Sequence, residues 1–199
     1  MRYNSHYLFK AELFLKRHLR DYIFLFLVAG IIIFFDQWTK TLVRTSLPPS
    51  GVWAPWHWLL PYARVVHWQN TGAAFGMLQG MNLLFSILAV IVSIAIIYYF
   101  PQVSRQDWLI RLALGIMLGG AIGNLIDRIQ YGAVTDFISV GGFAVFNIAD
   151  ASVTVGTILL IIGMYWHEKR LESEKRQEIT GEPAPVSPPA VNEEPPDRD

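Results

Sequence analysis

Met81–Phe100, MNLLFSILAVIVSIAIIYYF, runs for twenty residues without a charge. About twenty apolar residues of helix cross the hydrocarbon core of a bilayer. Backbone groups in lipid must bond within their own segment, so such a stretch is helical. A buried helix of a soluble protein seldom runs this long without a charge, and the stretch therefore predicts a membrane protein. Three more apolar segments surround it. One is Tyr22–Phe35, YIFLFLVAGIIIFF, continuing through Asp36 to about Val43. Another starts at Trp108 and carries Arg111 near its beginning; the last runs from Phe146 to Trp166, with Asp150 near its start. Composition agrees. Of 199 residues 53% are hydrophobic and 16% charged, whereas an ordinary soluble domain carries about 25% charged residues. The pattern predicts an all-α membrane protein with four transmembrane helices at about 22–43, 81–100, 108–128 and 146–166.

Basic residues orient these helices. Arg2, Lys10, Lys16, Arg17 and Arg20 precede the first segment, Arg105 lies between the second and third with Arg111 at the start of the third, and Lys169, Arg170, Lys175, Arg176 and Arg198 follow the fourth. Only Lys40, Arg44, Arg64 and Arg128 fall on the other side, so twelve of the sixteen basic residues share one side. The positive-inside rule places both termini in the cytoplasm. The basic stretch 1–21 is too long for a signal-peptide n-region, and no small-residue cleavage pattern follows the apolar run, so it is expected to be retained. Residues 46–80 form one long outer loop, rich in Pro and carrying Trp53, Trp56, Trp58, Tyr62 and Trp68. That aromatic density predicts a loop lying on the bilayer surface, and Ala63–Trp68, ARVVHW, predicts a short strand there. The 167–199 stretch is a cytoplasmic tail. Its first part extends the fourth helix, and its Pro- and acid-rich part from Gly181 has nothing to bury and is expected to be disordered.

Several function classes drop out. No Cys is present, which removes disulfides, thiolate metal sites and a cysteine nucleophile. The formal net charge is +0, leaving no electrostatic footprint for nucleic acid. H-E-x-x-H fails because Leu171 follows His167-Glu168-Lys169-Arg170, and no G-x-S-x-G is present. His57 and His67 have no evident Ser partner and are expected at the interface rather than in catalysis. No metal or cofactor is expected.

Acidic residues carry the positive signal. Between Tyr22 and Trp166 they are Asp36, Asp107, Asp127, Asp136 and Asp150. Asp107 falls in the short cytoplasmic loop; the predicted orientation brings the other four to the outer leaflet. Charge at membrane depth is expensive and usually marks function. Asn124 with Asp127, and Asn147 with Asp150, are spaced i,i+3 and share a helix face. Asp36 and Lys40, at i,i+4, suit an ion pair or headgroup anchoring. Gly115, Gly119 and Gly123 predict close helix packing. Two neighbouring carboxyls can hold one proton between them, so that one activates water and the other acts as acid. The sequence alone does not separate Asp127 from Asp136 as a member of such a pair. Arg128, adjacent to Asp127, favours a permanently ionised Asp127, and Asp136 has no adjacent cation.

Five motifs resemble those of the lipoprotein signal peptidase (signal peptidase II) family. They are D-Q-W-T-K at Asp36–Lys40, N-T-G-A-A-F at Asn70–Phe75, G-G-A-I-G-N-L-I-D-R at Gly119–Arg128, V-T-D-F at Val134–Phe137 and F-N-I-A-D at Phe146–Asp150. The resemblance spans about residues 22–166, in order. It implies four transmembrane helices with a small extracytoplasmic β-structure, and a membrane aspartic protease of the bacterial inner membrane with its site at the outer face. Its substrates would be diacylglyceryl-modified prolipoproteins, cut before the lipidated cysteine, with membrane lipid as the other partner. It implies Asp136 and Asp150 as the catalytic pair, with Asp36, Lys40, Asn70, Gly72, Asn124, Asp127, Arg128 and Asn147 positioning substrate or bracing the site. Thr135 stands where the family more often has Val, and the stretch between Asp136 and Asp150 is shorter than the family's usual one. The rival readings are an ion-coupled carrier, which should place its carboxylates near mid-membrane, and a non-catalytic lipoprotein-binding scaffold, against which retention of both Asp136 and Asp150 argues.

The topology is testable because the chain has no native thiol. Ser5→Cys and Pro185→Cys are expected to react with an impermeant maleimide only from the cytoplasmic side, and Ser50→Cys only from outside. Labelling of either terminus from outside would invert the arrangement.

Overall fold

The computed structural model describes residues 3–72 and 78–180. Ala73–Phe75 of the N-T-G-A-A-F run and the Pro-rich tail from Gly181 lie outside the described residues. Among those described, the helices are α1 (Tyr3–Ser46), α2 (Asn82–Tyr99), α3 (Trp108–Tyr131) and α4 (Ile148–Thr180). The strands are β1 (Val52–Trp53), β2 (Ala63–Asn70) and β3 (Val134–Val140). Among the described residues, three stretches are helices long and apolar enough to cross a membrane: Asn82–Gln102, Trp108–Tyr131 and Ile148–Ile179. The chain divides into two compact units, residues 1–164 and 165–199. In the second, the described residues stay helical, with Lys169 Nζ 5.0 Å from the Tyr165 ring and Arg170 paired to Glu174.

Burial along α1 follows one stripe. Asp21, Leu25, Ala29, Asp36, Lys40 and Val43 are buried, at the three-, four- and seven-residue spacings that fall on one helix face. The stripe is apolar in its middle and charged at both ends. Phe26, Ile31, Phe34 and Trp38 on the other faces are exposed. Alpha2 shows the same inversion more strongly: Ser93 and Ile96 are its buried residues, while Leu83, Ile87, Ile91 and Ile94 face outward. An exposed aliphatic surface of this extent suits lipid rather than water.

Lipid gives two apolar helices no hydrophobic incentive to associate, so close packing must supply it. The glycines of α3 do this on two sides. A Cβ at Gly119 would stand 2.6 Å from Ile32 Cβ and 2.8 Å from the Ala29 carbonyl oxygen of α1. One at Gly120 would stand 2.5 Å from the Ala149 carbonyl oxygen of α4. Gly156 and Gly163 return the contact, against Met117 and Ile110 of α3. Alpha3 is thus the central helix, with α1 and α4 against separate faces.

The sheet is antiparallel in the order β1-β2-β3. The strand expected at Ala63–Trp68 is present and extends to Asn70. Beta1, two residues long, is too short for any alternation to be read. A register irregularity between Val65 and Trp68 leaves Trp68 opposite Asp136 and Asn70 opposite Val134. The loop aromatics Trp53, Trp56, Trp58 and Tyr62 are exposed, with Trp56 and Trp58 stacked at 6.0 Å.

Gly119→Val should lower the melting temperature of the purified protein by several degrees, since overpacking costs about 1–3 kcal/mol. Gly30→Ala, where an added Cβ meets nothing within 4 Å, should be neutral or slightly stabilising. Equal melting of both variants in a thermal-shift assay would contradict the packing argument.

Candidate active site

The site forms where α3 ends, β3 runs and α4 begins. Gly132 ends α3 in the left-handed conformation (φ 72°), with its N–H bonded to Arg128 O at 3.1 Å. Beta3 starts two residues later and carries Asp136, which is 1% exposed. Asn70, opposite Val134, lies diagonally next to Asp136 on the same face. Its Nδ2 donates to Asp136 Oδ2 at 2.9 Å, and its Oδ1 accepts from Gly72 N–H at 2.9 Å. Beyond β3 the chain turns at Gly141 (φ 53°) and comes back antiparallel, with Phe146 bonded both ways to Ile138. That tight return absorbs the short Asp136–Asp150 stretch and delivers Asn147 beside Asp136, where Asn147 Nδ2 donates to Asp136 Oδ1 at 2.7 Å.

Asn147 also starts α4. Its Oδ1 accepts from Asp150 N–H at 2.9 Å, and Asp150 Oδ2 accepts from Asn147 N–H at 3.2 Å. This reciprocal pair is a capping box with Asp at its third helical position. Asp150 Oδ1 takes a further bond from Asn124 Nδ2 at 2.7 Å. Asn124 Oδ1 accepts from Asn147 Nδ2 at 3.1 Å and from Lys40 Nζ at 2.9 Å. Each carboxyl is therefore held by amides, with Asn147 bonded to both. Asp150 sits in the first turn of α4, where the helix dipole favours negative charge.

Beneath the amides lies a charged layer. Lys40 and Asp36 are fully buried and paired at 2.8 Å; Asp127, also buried, is 3.5 Å from Lys40 and 3.4 Å from Arg44. Asp36 Oδ1 accepts from Ala149 N–H at 2.9 Å, satisfying a first-turn donor of α4. Asp127 Oδ2 accepts from Thr135 N–H at 2.9 Å. Thus Asp36–Lys40 is a buried pair rather than a headgroup anchor. Arg128, in turn, is not the principal partner of Asp127. Successive helix residues point about 100° apart, and the Arg128 guanidinium lies 5.5 Å above the Phe85 ring, feeling Asp150, Asp136 and Asp127 electrostatically.

The two aspartates left open by the sequence have different surroundings. Asp127 is enclosed by cations, whereas Asp136 has amide partners and Asp150 as a charged neighbour. Burial, followed by the negative charge of Asp150, pushes the Asp136 carboxyl up to about 7. All ten residues singled out in the sequence gather in this one region: Asp136, Asp150, Asp36, Lys40, Asn70, Gly72, Asn124, Asp127, Arg128 and Asn147. His67 differs from its expected interfacial place: it is buried, with Nδ1 2.9 Å from Leu47 O.

Two contributors, Gln37 and Arg44, were not singled out as site residues. Gln37 Nε2 lies 3.0–3.1 Å from Asp36 Oδ2, Gly123 O and Asp127 Oδ1. Arg44, four residues beyond Lys40, was detectable by continuing the Asp36–Lys40 spacing one more step. Arg44 Nη1 also donates to Thr135 Oγ1 at 3.0 Å, so the Thr in V-T-D-F adds a polar tie where Val could not.

Comparison with known proteins points one way. The family model described as "Signal peptidase (SPase) II" matches residues 28–166. A lipoprotein signal peptidase of Halalkalibacterium halodurans is 40% identical over 154 residues, covering 75% of this chain and 97% of the relative. One from Staphylococcus aureus is 34% identical over 158 residues, covering 77% and 93%. A bacterial membrane enzyme solved by the in meso method superposes with a TM-score of 0.66 at 29% identity, covering 82% of this chain and 94% of that one. A second gives 0.62 at 34% identity, covering 70% and 91%.

Folding raises the Asp136 pKa from 3.8 to about 7, so between those values the folded state binds the proton more tightly. Its contribution to stability is full below pH 3.8 and is lost as pH rises through about 7. Infrared titration should show a buried carboxylic C=O band disappearing with a midpoint near 7, absent in Asp136→Asn. A band that titrates near 4 would contradict the assignment.

Proposed function

We propose a mechanism from one premise: the chain belongs to the signal peptidase II family. It is a bacterial inner-membrane protease that removes signal peptides from prolipoproteins. Its reaction, in our reading, is run by Asp136 and Asp150 as an aspartic pair. The observation that carries this is the amide frame, in which Asn147 bonds both carboxyls while Lys40 and Arg44 pair with Asp36 and Asp127.

Asp136 holds the proton and Asp150 is the carboxylate at the start of α4. Water between them attacks the scissile carbonyl carbon; Asp150 takes a water proton and Asp136 protonates the carbonyl oxygen, giving a neutral gem-diol. As the C–N bond breaks, Asp150 passes its proton to the leaving nitrogen and Asp136 recovers one from the gem-diol hydroxyl. Water is consumed and both carboxyls return to their starting states. Asn70 and Asn147 orient Asp136, Asn124 orients Asp150, and Gly72 fixes Asn70. Arg128 faces the pair as the cation for a substrate carbonyl. Asp36, Lys40 and Asp127 brace the three helices.

The topology belongs to the same proposal. Alpha1 crosses the membrane as a fourth span through Tyr22–Val43, supported by its apolar run and its exposed Phe26, Ile31 and Phe34. Both termini are then cytoplasmic and the pair lies at the outer face. There it would meet a diacylglyceryl-modified precursor at the depth of its lipidated cysteine and cut before that residue. The carboxyls gather at one end of α3 and α4, which favours a protease over a carrier with mid-membrane sites.

The test is cleavage of a diacylglyceryl-prolipoprotein by purified protein. Asp136→Asn and Asp150→Asn should each lower turnover by at least about a thousandfold while folding is retained. The double variant should be hardly worse than either single, since the two act as a unit. Near-wild-type turnover in either single variant would remove the aspartic pair.

A further inference from the structure

A second charged cluster lies far from the carboxyl pair and has no part in the reaction. Arg111, at the start of α3, donates through Nη2 to Asp21 Oδ1 at 2.7 Å and through Nη1 to Val103 O at 3.0 Å. Arg105 Nε donates to the same Asp21 oxygen at 3.0 Å. The Arg111 guanidinium lies 4.4 Å above the Phe100 ring, which fixes its plane. A cleft of about 250 Å³ opens on this cluster, lined by Arg20, Asp21, Phe24, Arg105, Trp108 and Arg111. Arg111 and Asp127 are sixteen residues apart on α3, about 24 Å of helix rise. That approaches the thickness of the hydrocarbon core, so the cleft sits at the opposite membrane boundary from the carboxyl pair.

We infer that this cleft binds the phosphate of an anionic phospholipid headgroup, held by Arg20, Arg105 and Arg111 between α1 and α3. Charge comes first. Three guanidinium groups face one carboxylate, and counting Asp107, buried at the start of α3, still leaves the end positive. Arg111 and Arg105 share Asp21, and Arg105 keeps 42% of its side chain exposed. Alpha3 starts with no side-chain cap, so its dipole adds to the positive potential. Guanidinium forks suit phosphate oxygens. Shape comes second. Phe24 and Trp108 line the same cleft and are exposed; an amphiphile can lay glycerol and acyl carbons on these rings, whereas an inorganic ion cannot. Trp at this depth is typical of the headgroup region. The topology reading assigns the cleft to the cytoplasmic leaflet, where anionic lipid attracts basic side chains; the binding chemistry itself does not depend on that reading or on the protease mechanism.

The experiment is native mass spectrometry of the full-length protein, with phosphatidylglycerol and phosphatidylcholine added at equal concentration. Wild type should retain one phosphatidylglycerol at least tenfold in preference to phosphatidylcholine. Each cation beside an anionic headgroup is worth roughly fivefold in affinity, so Arg20→Gln/Arg105→Gln should erase that preference. Arg64→Gln, which removes a positive charge on β2 outside the cleft, should keep it. Prolipoprotein turnover in detergent and the melting temperature should be unchanged in the double variant. Equal retention of the two lipids by wild type, or an undiminished preference in the double variant, overturns the proposal. Thermal stabilisation by inorganic phosphate alone, matching that by the lipid, would make this a free-phosphate site and overturn the lipid assignment. Loss of preference in Arg64→Gln as well would reduce it to net charge.

Discussion

The ammonium of Lys40 is the point on which the polar end of the molecule depends. It is wholly buried, and an isolated charge there would be prohibitive, so its partners must be present and in place. It has Asp36 at 2.8 Å, Asn124 at 2.9 Å and Asp127 at 3.5 Å. These contacts fix the register of α1 on α3. Asp36 extends the constraint to α4 through Ala149 N–H. Gly123 is part of the same arrangement, because a Cβ there would stand 2.7 Å from Asp36 Oδ2. Breaking such a pair by removing one member typically costs about 3–5 kcal/mol, a strong penalty against sliding the helices.

The constraint passes upward through amide chemistry. Asn124 has one acceptor oxygen and one donor nitrogen. Lys40 and Asn147 both donate to its oxygen, so its nitrogen faces Asp150. Asn147 Oδ1 is used by Asp150 N–H, so its nitrogen faces Asp136. The amides thus transmit orientation while Lys40 itself stays on Asp36 and Asp127. Four aspartates of one residue type separate into two roles on this basis. Asp36 and Asp127 lie next to Lys40 and Arg44, and Asp136 and Asp150 next to amides.

Much of this was legible in the chain, for identifiable reasons. Lipid solvent makes helices readable from length alone, as Met81–Phe100 illustrates. From the orientation expected of the basic residues the sequence predicts that four carboxyls gather, and Asp36, Asp127, Asp136 and Asp150 do lie in one region. Ala63–Trp68 read as a strand because its β-branched and aromatic residues are contiguous. What stayed hidden was pairing across elements. Adjacency suggested Arg128 as the partner of Asp127, but helix geometry turns neighbours apart and brings in Arg44 from another helix. Gln37 carries no charge and its spacing is unremarkable, although it lies between Asp36 and Asp127. The depth of His67 depends on strand register, which a residue irregularity in β2 resets.

The stripe on α1 links the two ends. Its ionic groups lie at 21 and at 36–40, and between them Leu25 and Ala29 meet the glycine face of α3. In lipid this middle supplies close packing but little specificity, since a shift by one turn would still place apolar groups against apolar groups. The charged ends remove that freedom. A one-turn slip of about 5.4 Å would carry Asp21 away from Arg111 and Lys40 away from Asp127 at once, leaving buried charge at both boundaries. Specificity therefore resides at the polar ends and adhesion in the apolar middle. One end holds the amide frame, and the other fixes the same register from the far end of α1 and α3.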